Sequence, residues 1–227
     1  MHLEARVAVY YAPRPDDPLF VQGATWLGRN PENGAVAKQP NVAGIAEVTA
    51  EPRVYGFHAT LKPPMKLHQR HRWEDVVTAA TALAERIAPF ELPALSVHDL
   101  AGFLALRECM ASTPLQALAD ACVEYLDPFR APTSDAELDR RRRAGLTPRQ
   151  DEMLRRWGYP YVFDDWVFHM TLTRKLKAAE MRVLMAASEA HFTAATRVSR
   201  RVNDICLFVQ RAPGMPFIMK ERLPLRG

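Results

Sequence analysis

The chain has 227 residues, 48% of them hydrophobic, enough to bury a substantial core in one large domain or two small fused halves, which excludes disorder as the default. Lys and Arg number 30 against 26 Asp and Glu, and the resulting formal charge of +4 mildly favours anionic partners without indicating nucleic-acid binding. Cys109, Cys122 and Cys206 share no metal-binding spacing and are expected to be reduced core thiols; MHLEARVAVYYAPRP shows no leader pattern and no stretch reaches membrane-span length, so a soluble, cytoplasmic protein is expected.

In chain order, RVAVYYAP over 6 to 13 has the β-branched and aromatic content of a strand that stops at Pro13. From Arg14 to Pro52 the chain is rich in Pro, Gly and Asn and reads as a long connection with one short helix around Pro18 to Leu27. GFHATLK over 56 to 62 reads as a strand ending near Lys62, because Pro63 and Pro64 have no N–H to give a ladder. Trp73, Val76, Val77, Ala80, Leu83, Ala84 and Ile87 then recur at helical spacing, and Pro89 closes that helix. ELPALSVHDL and GFLALRE follow as two short strands around an Ala101-Gly102 turn.

Residues 132–160 predict a helical hairpin. Ser134 with Glu137 fits a capping box, Gly145 a stop, Thr147-Pro148 with Gln150 a second capped start, and Gly158 a second stop. VFHMTLT over 167 to 173 is followed by a helix from about Ala178 to His191 and a hairpin of NDICLFVQ and PFIMKERL. The order of motif strand, helix and strand pair therefore occurs twice, which suggests a duplicated unit.

The repeated Phe-His-x-Thr-Leu frame carries the chemistry. Alternation along a strand puts His58 and Thr60 on one face and Phe57, Ala59 and Leu61 on the other, and it does the same for His169 and Thr171. If the halves are related by approximate two-fold symmetry, two imidazoles flank one substrate group. One neutral ring takes a proton from an attacking water and the other, protonated, gives one to the departing oxygen, while the threonine hydroxyls donate to phosphoryl oxygens. The sequence does not distinguish base from acid, and the scheme needs no metal.

On His58-Ala59-Thr60-Leu61 and His169-Met170-Thr171-Leu172 the sequence resembles the 2H phosphoesterases, a family named for paired His-x-Thr/Ser motifs. The flanking YGFHATLKPP, LTPRQ, RWGYPYV and FHMTLTRKL are similar to a branch associated with phosphonate metabolism, and the resemblance runs through nearly the whole chain. It implies an α+β fold of two pseudo-symmetric lobes, with antiparallel sheets flanked by helices around a central cleft, as a single domain over 1–227 with the hairpin as an insertion. It also implies cleavage or formation of cyclic phosphodiesters without a cofactor, near carbon–phosphorus bond breakdown, with a ribose cyclic phosphate as a substrate. Arg174-Lys175 stands where that branch would have Gly-Arg, a departure that bears on substrate placement rather than on the histidines.

Four catalytic residues are expected: His58, Thr60, His169 and Thr171. Three substrate-binding candidates join them. Lys62 either continues the chemical face of the first motif to meet phosphate or is a solvated strand end. Tyr10 is chosen over Tyr11 because the resemblance implies that the first strand lines the cleft. Arg107 either binds phosphate or caps its strand at the surface. Arg140 to Arg143 read first as a solvated helix face paired with Asp135, Glu137 and Asp139, and alternatively as a lid over a phosphorylated sugar. His68 and His71 are three apart, but Arg70 and Arg72 make a cation site unattractive, so no metal is assigned. The expected partner is a small phosphorylated substrate. Two alternatives remain: processing or ligation of RNA 2′,3′-cyclic-phosphate ends, less favoured because the arginine run lacks interleaved aromatics, and a non-catalytic phosphometabolite-binding protein.

Overall fold

The computed structural model describes residues 5–227; residues 1–4 of the segment read for a leader lie outside the described residues. Strand β1 (Arg6–Tyr11) leads to helix α1 (Pro18–Leu27), whose start is fixed by the Asp17 side chain accepting from the Leu19 N–H at 2.8 Å and whose end is fixed by Gly28 in the left-handed region. The connection after α1 holds two short helices absent from the sequence reading, α2 (Ile45–Val48) and α3 (Ala50–Tyr55).

Strand β2 (Ala59–Lys66) runs past the prolines instead of stopping at Lys62. Its pairing with β1 shifts register twice, once between the partners of Tyr10 and Val9 and again between those of Val9 and Val7. The extra residues let Pro63 and Pro64 sit where no ladder N–H is required.

After α4 (Trp73–Ala84) the stretch read as one strand divides into β3 (Phe90–Leu92) and β4 (Leu95–Leu100), followed by β5 (Phe103–Glu108). Helix α5 (Thr113–Leu126) comes next. The expected helical pair is present as α6 (Asp135–Arg142) and α7 (Pro148–Trp157). The reciprocal capping box forms on α7, where Thr147 and Gln150 exchange bonds of 3.1 and 3.2 Å. Strand β6 (Met170–Thr171), α8 (Ala178–Thr196), β7 (Arg200–Val202), β8 (Asp204–Gln210) and β9 (Phe217–Pro224) complete the chain.

The fold is α+β, with antiparallel sheets flanked by helices. Seven strands form one sheet in the order β4-β5-β6-β2-β1-β8-β9, and β3 pairs with β7 in a second. The two motif strands, β2 and β6, are direct neighbours. The strand pair of the first repeat (β4, β5) lies on the β6 side, while that of the second (β8, β9) lies beyond β1 on the β2 side, so the repeats are interleaved.

Val9, Leu61, Met170 and Leu207 on one face of the sheet pack against Trp26 of α1, Val76 of α4, Leu118 of α5 and Phe192 of α8, forming the main core. Burial of such side chains, at about 25 cal/mol per Å² of apolar area, is what holds the sheet to its helices. The opposite face has a smaller apolar cluster containing Tyr10, Phe208 and Phe217. Among the described residues, no helix is long and apolar enough to cross a membrane. Cys122 and Cys206 are buried thiols as expected, whereas Cys109 is exposed; all are free.

Candidate active site

Strand pairing brings the two motifs together. Ala59 and Met170 are antiparallel partners, and continuing that register by one residue each way sets His58 across from Thr171 and Thr60 across from His169. Tyr10 of β1 is the partner of Thr60, and the pairing of Leu106 with Met170 carries Arg107 opposite His169. Tyr10, Thr60, His169 and Arg107 thus form a row across neighbouring strands on the face turned away from the main core.

Each imidazole is fixed in the same way. Nδ1 of His58 lies 2.8 Å from the Gly56 carbonyl, and Nδ1 of His169 lies 2.8 Å from the Val167 carbonyl. A carbonyl only accepts, so each Nδ1 carries the proton, which leaves Nε2 of the neutral ring as the available base. The Thr60 hydroxyl, 3.2 Å from Nε2 of His58, donates to it. Nε2 of His169 makes no hydrogen bond to another described residue, and the Phe103 ring stands edge-on to that imidazole at 6.0 Å.

Gly56 is required by its conformation. Its φ is +81°, and a Cβ there would stand 3.0 Å from both Arg29 Nη2 and Pro31 Cβ. Trp166 donates from Nε1 to the Thr60 carbonyl at 2.9 Å, which ties the chain before the second motif to the first.

Burial, reinforced by the charges of His169 and Arg29, lowers the His58 pKa to about 3 against the opposing effect of the Gly56 carbonyl. Burial also lowers that of His169, with Arg107 acting in the same direction and the Val167 carbonyl opposing. The free protein therefore keeps His58 neutral at physiological pH. An anionic ligand between the rings would raise both values.

His58 and Thr171 line a cavity of about 290 Å³ with Tyr55, Phe103, Arg174 and Lys175. Arg174 is held by Glu47 at 2.6 Å and by Glu180 at 3.1 Å, while Lys175 is exposed. His169 lies beside this lining, next to Arg107, whose Nε is buried without a hydrogen-bond partner.

Of the sequence candidates, Tyr10 stacks on His58 with ring centroids 3.6 Å apart, and Arg107 stands on the site face. Lys62 does not. The register shift after Thr60 turns its side chain to the core face, where it is 2% exposed and donates to the Val123 carbonyl at 2.9 Å and to Asp127 at 3.2 Å. Burial lowers its pKa to about 8. His71 accepts from Arg70 at 3.1 Å, and among the described residues no group of three or more His, Cys, Asp or Glu side chains is placed to hold a metal. Tyr55, Phe103, Arg29 and the Gly56 and Val167 carbonyls had no signal in the motif itself.

The fold and this face define an α+β protein with two His-x-Thr motifs paired at the centre of an antiparallel sheet. Residues 60–218 match the family described as "Protein of unknown function (DUF1045)", and the chain belongs to that family.

Two curated relatives carry the name ribose 1,5-bisphosphate phosphokinase PhnN. The protein of Janthinobacterium sp. (strain Marseille) is 38% identical over 98% of this chain and 51% of its own length. That of Laribacter hongkongensis (strain HLHK9) is 36% identical over 93% of this chain and 50% of its own. The chain spans about half the length of the curated relatives it matches. Solved structures of similar shape include E. coli LigT complexed with NADP+ (TM-score 0.44, 14% identity, covering 100% of both chains). E. coli LigT complexed with 3′-AMP gives a TM-score of 0.44 at 15% identity, over 98% of this chain and 99% of the other.

Proposed function

We propose that the chain is a metal-independent phosphodiesterase that opens a small cyclic phosphate by two-histidine acid/base catalysis. The observation that carries this reading is the matched tethering of His58 and His169, each with Nδ1–H on the carbonyl two residues earlier and Nε2 turned to the site, that of His58 receiving the Thr60 hydroxyl until substrate draws it away. In the scheme, neutral His58 takes a proton from water as its oxygen bonds to phosphorus. The ester bond to the leaving oxygen breaks, and protonated His169 supplies that oxygen with its proton. The product is a phosphomonoester, and solvent resets both rings.

Charge on the phosphate raises the His169 pKa in the complex, which suits it to the acid role. Thr171 and Arg107 donate to the non-bridging oxygens, where the unpartnered Arg107 Nε gains an acceptor, and Thr60 joins them by turning its hydroxyl from His58 Nε2 to the phosphate, which frees that nitrogen as base. Both proton transfers are served by imidazole, so the scheme places no step on a metal.

The name of the curated relatives supports a ribose phosphate as the substrate class, and the resemblance of the sequence around the motifs supports phosphonate breakdown as the setting. This sequence has no Gly-x4-Gly-Lys-Ser/Thr phosphate loop, so we assign it the phosphodiester step and not the kinase step. The test is phosphorus NMR of a pentose cyclic phosphate incubated with the protein in EDTA. Conversion to the monoester is expected, slowed about 10²- to 10⁴-fold by His58→Ala or His169→Ala. Full activity in both variants would refute the scheme, and turnover confined to RNA oligomers would transfer the site to RNA-end processing.

A further inference from the structure

A second cavity, of about 530 Å³, lies between the far ends of β1 and β2 and the α6–α7 hairpin. Arg6, Lys62, Lys66, Arg130, Arg140 and Arg141 line it against a single carboxylate, Glu137, which pairs with both Arg140 and Arg141; the Lys62 ammonium is turned to the Val123 carbonyl and Asp127. Arg130 is committed to Asp127 at 2.7 and 3.0 Å, and Arg6 donates to Gln210 at 2.8 Å. Arg141 is differently placed. Its Nη2 lies 3.3 Å from Glu137, its guanidinium lies over the Tyr159 ring at 4.9 Å, and its Nε is buried with no partner.

A buried donor without an acceptor is destabilising, and an anion in this cavity would give it one. Of the arginine run, Arg142 turns instead to Asp151 and Asp139 at 2.7 and 3.4 Å. The run is therefore neither wholly solvated nor wholly a lid.

The cavity and the histidines share one face of the sheet. Arg6, which lines the cavity, is four residues before Tyr10 on β1 and lies over the Phe217 ring at 5.4 Å; Phe217 is 6.1 Å from the Tyr10 ring, and Tyr10 stacks on His58. Its size falls in the range of small-ligand pockets, about 300–1,000 Å³.

We propose that the α6–α7 hairpin builds a second phosphoryl site, in which Arg141, with Arg6 and Arg140, holds a phosphomonoester on the same small molecule whose cyclic phosphate meets the histidines. This rests on the reading of the histidine pair given above. It makes the substrate class a sugar cyclic phosphate that carries a separate phosphate group, and it gives a use to the basic side chains gathered around this cavity.

The test separates the two sites. In a His58→Ala/His169→Ala double variant, calorimetry with ribose 5-phosphate reads the second site whether or not the histidines are hydrolytic. Arg141→Gln on that background is expected to weaken binding at least about ten-fold, the loss of one charge-assisted contact, while Arg142→Gln leaves it unchanged. In the wild type, the kcat/KM preference for a pentose cyclic phosphate bearing a further phosphate over one without it is expected to fall by a similar factor in Arg141→Gln. Ribose 5-phosphate that fails to bind at millimolar concentration, or that binds equally with and without Arg141, overturns the proposal. Circular dichroism of each variant checks that it remains folded.

Discussion

Tyr10 lies nearly flat on the imidazole of His58, with ring centroids 3.6 Å apart and planes 21° from parallel. Only 1% of Tyr10 is exposed, so the tyrosine keeps water from one side of the ring and contributes to the burial that holds His58 neutral. Replacing Tyr10 with Ala is expected to let the His58 pKa climb from about 3 toward the ordinary histidine value near 6.5. Nitrogen NMR titration of the imidazole measures this directly. An unmoved titration would show that the stacking is not what suppresses protonation.

The depressed His58 pKa also makes stability depend on pH. Between about pH 3 and 6.5 the unfolded chain binds a proton at this position and the folded chain does not. Stability attributable to His58 is therefore fully present above the unfolded value and is lost as pH falls through that window, at no more than roughly 1.4 kcal/mol per pH unit. Urea unfolding of wild type and His58→Gln across this range is expected to show a shallower acid slope for the variant. Parallel slopes would contradict the assignment.

Gly56 links backbone conformation to the site. Its carbonyl receives the His58 Nδ1–H, and its φ of +81° disfavours any side chain. Gly56→Ala is expected to cost about 1–2 kcal/mol in strain and to lower kcat further by turning the carbonyl away from the ring. Thermal unfolding and turnover measured together check it, since a variant with normal kcat would mean that the tether is dispensable.

Lys62 offers the converse case, a residue of the motif strand whose ammonium is bonded on the core side of the sheet. Removing its ammonium leaves the Val123 carbonyl without that donor in a buried setting, although Asp127 keeps Arg130. Lys62→Ala is expected to destabilise the fold by about 2–4 kcal/mol while leaving the KM for cyclic phosphate close to wild type. A large rise in KM without loss of stability would return Lys62 to the substrate.

The legible parts of the sequence were those whose signals are local. Asp17-Pro18, Ser134 and Thr147 with Gln150 write their helix starts directly into neighbouring residues, and those helices begin where expected. The repeated motif likewise identified two strands with matched faces. The division of ELPALSVHDL depends on a distant partner, since Phe90 to Leu92 pair with Val202 to Arg200.

The course of β2 past Pro63 depends on a register shift against β1, which no local pattern announces, and the position of Lys62 changes with it. Helix α5 had no place in the sequence reading, although Leu115, Leu118, Ala119, Cys122 and Leu126 repeat with helical spacing and are buried. At the candidate site, His58 and His169 stand out in the sequence because they recur, and the structure brings them to neighbouring strands. The surroundings that set their protonation, Arg29, Phe103 and the carbonyls of Gly56 and Val167, come from turns and other strands.

Because Ala59 faces Met170 across a single pair of hydrogen-bonded strands, main-chain geometry fixes the span between the imidazoles. Hinge bending between halves cannot widen it. Under the proposed function the two rings act as a gauge with rigid jaws, so selection among ligands by size falls to that span, and admission and release fall to whatever covers that face of the sheet.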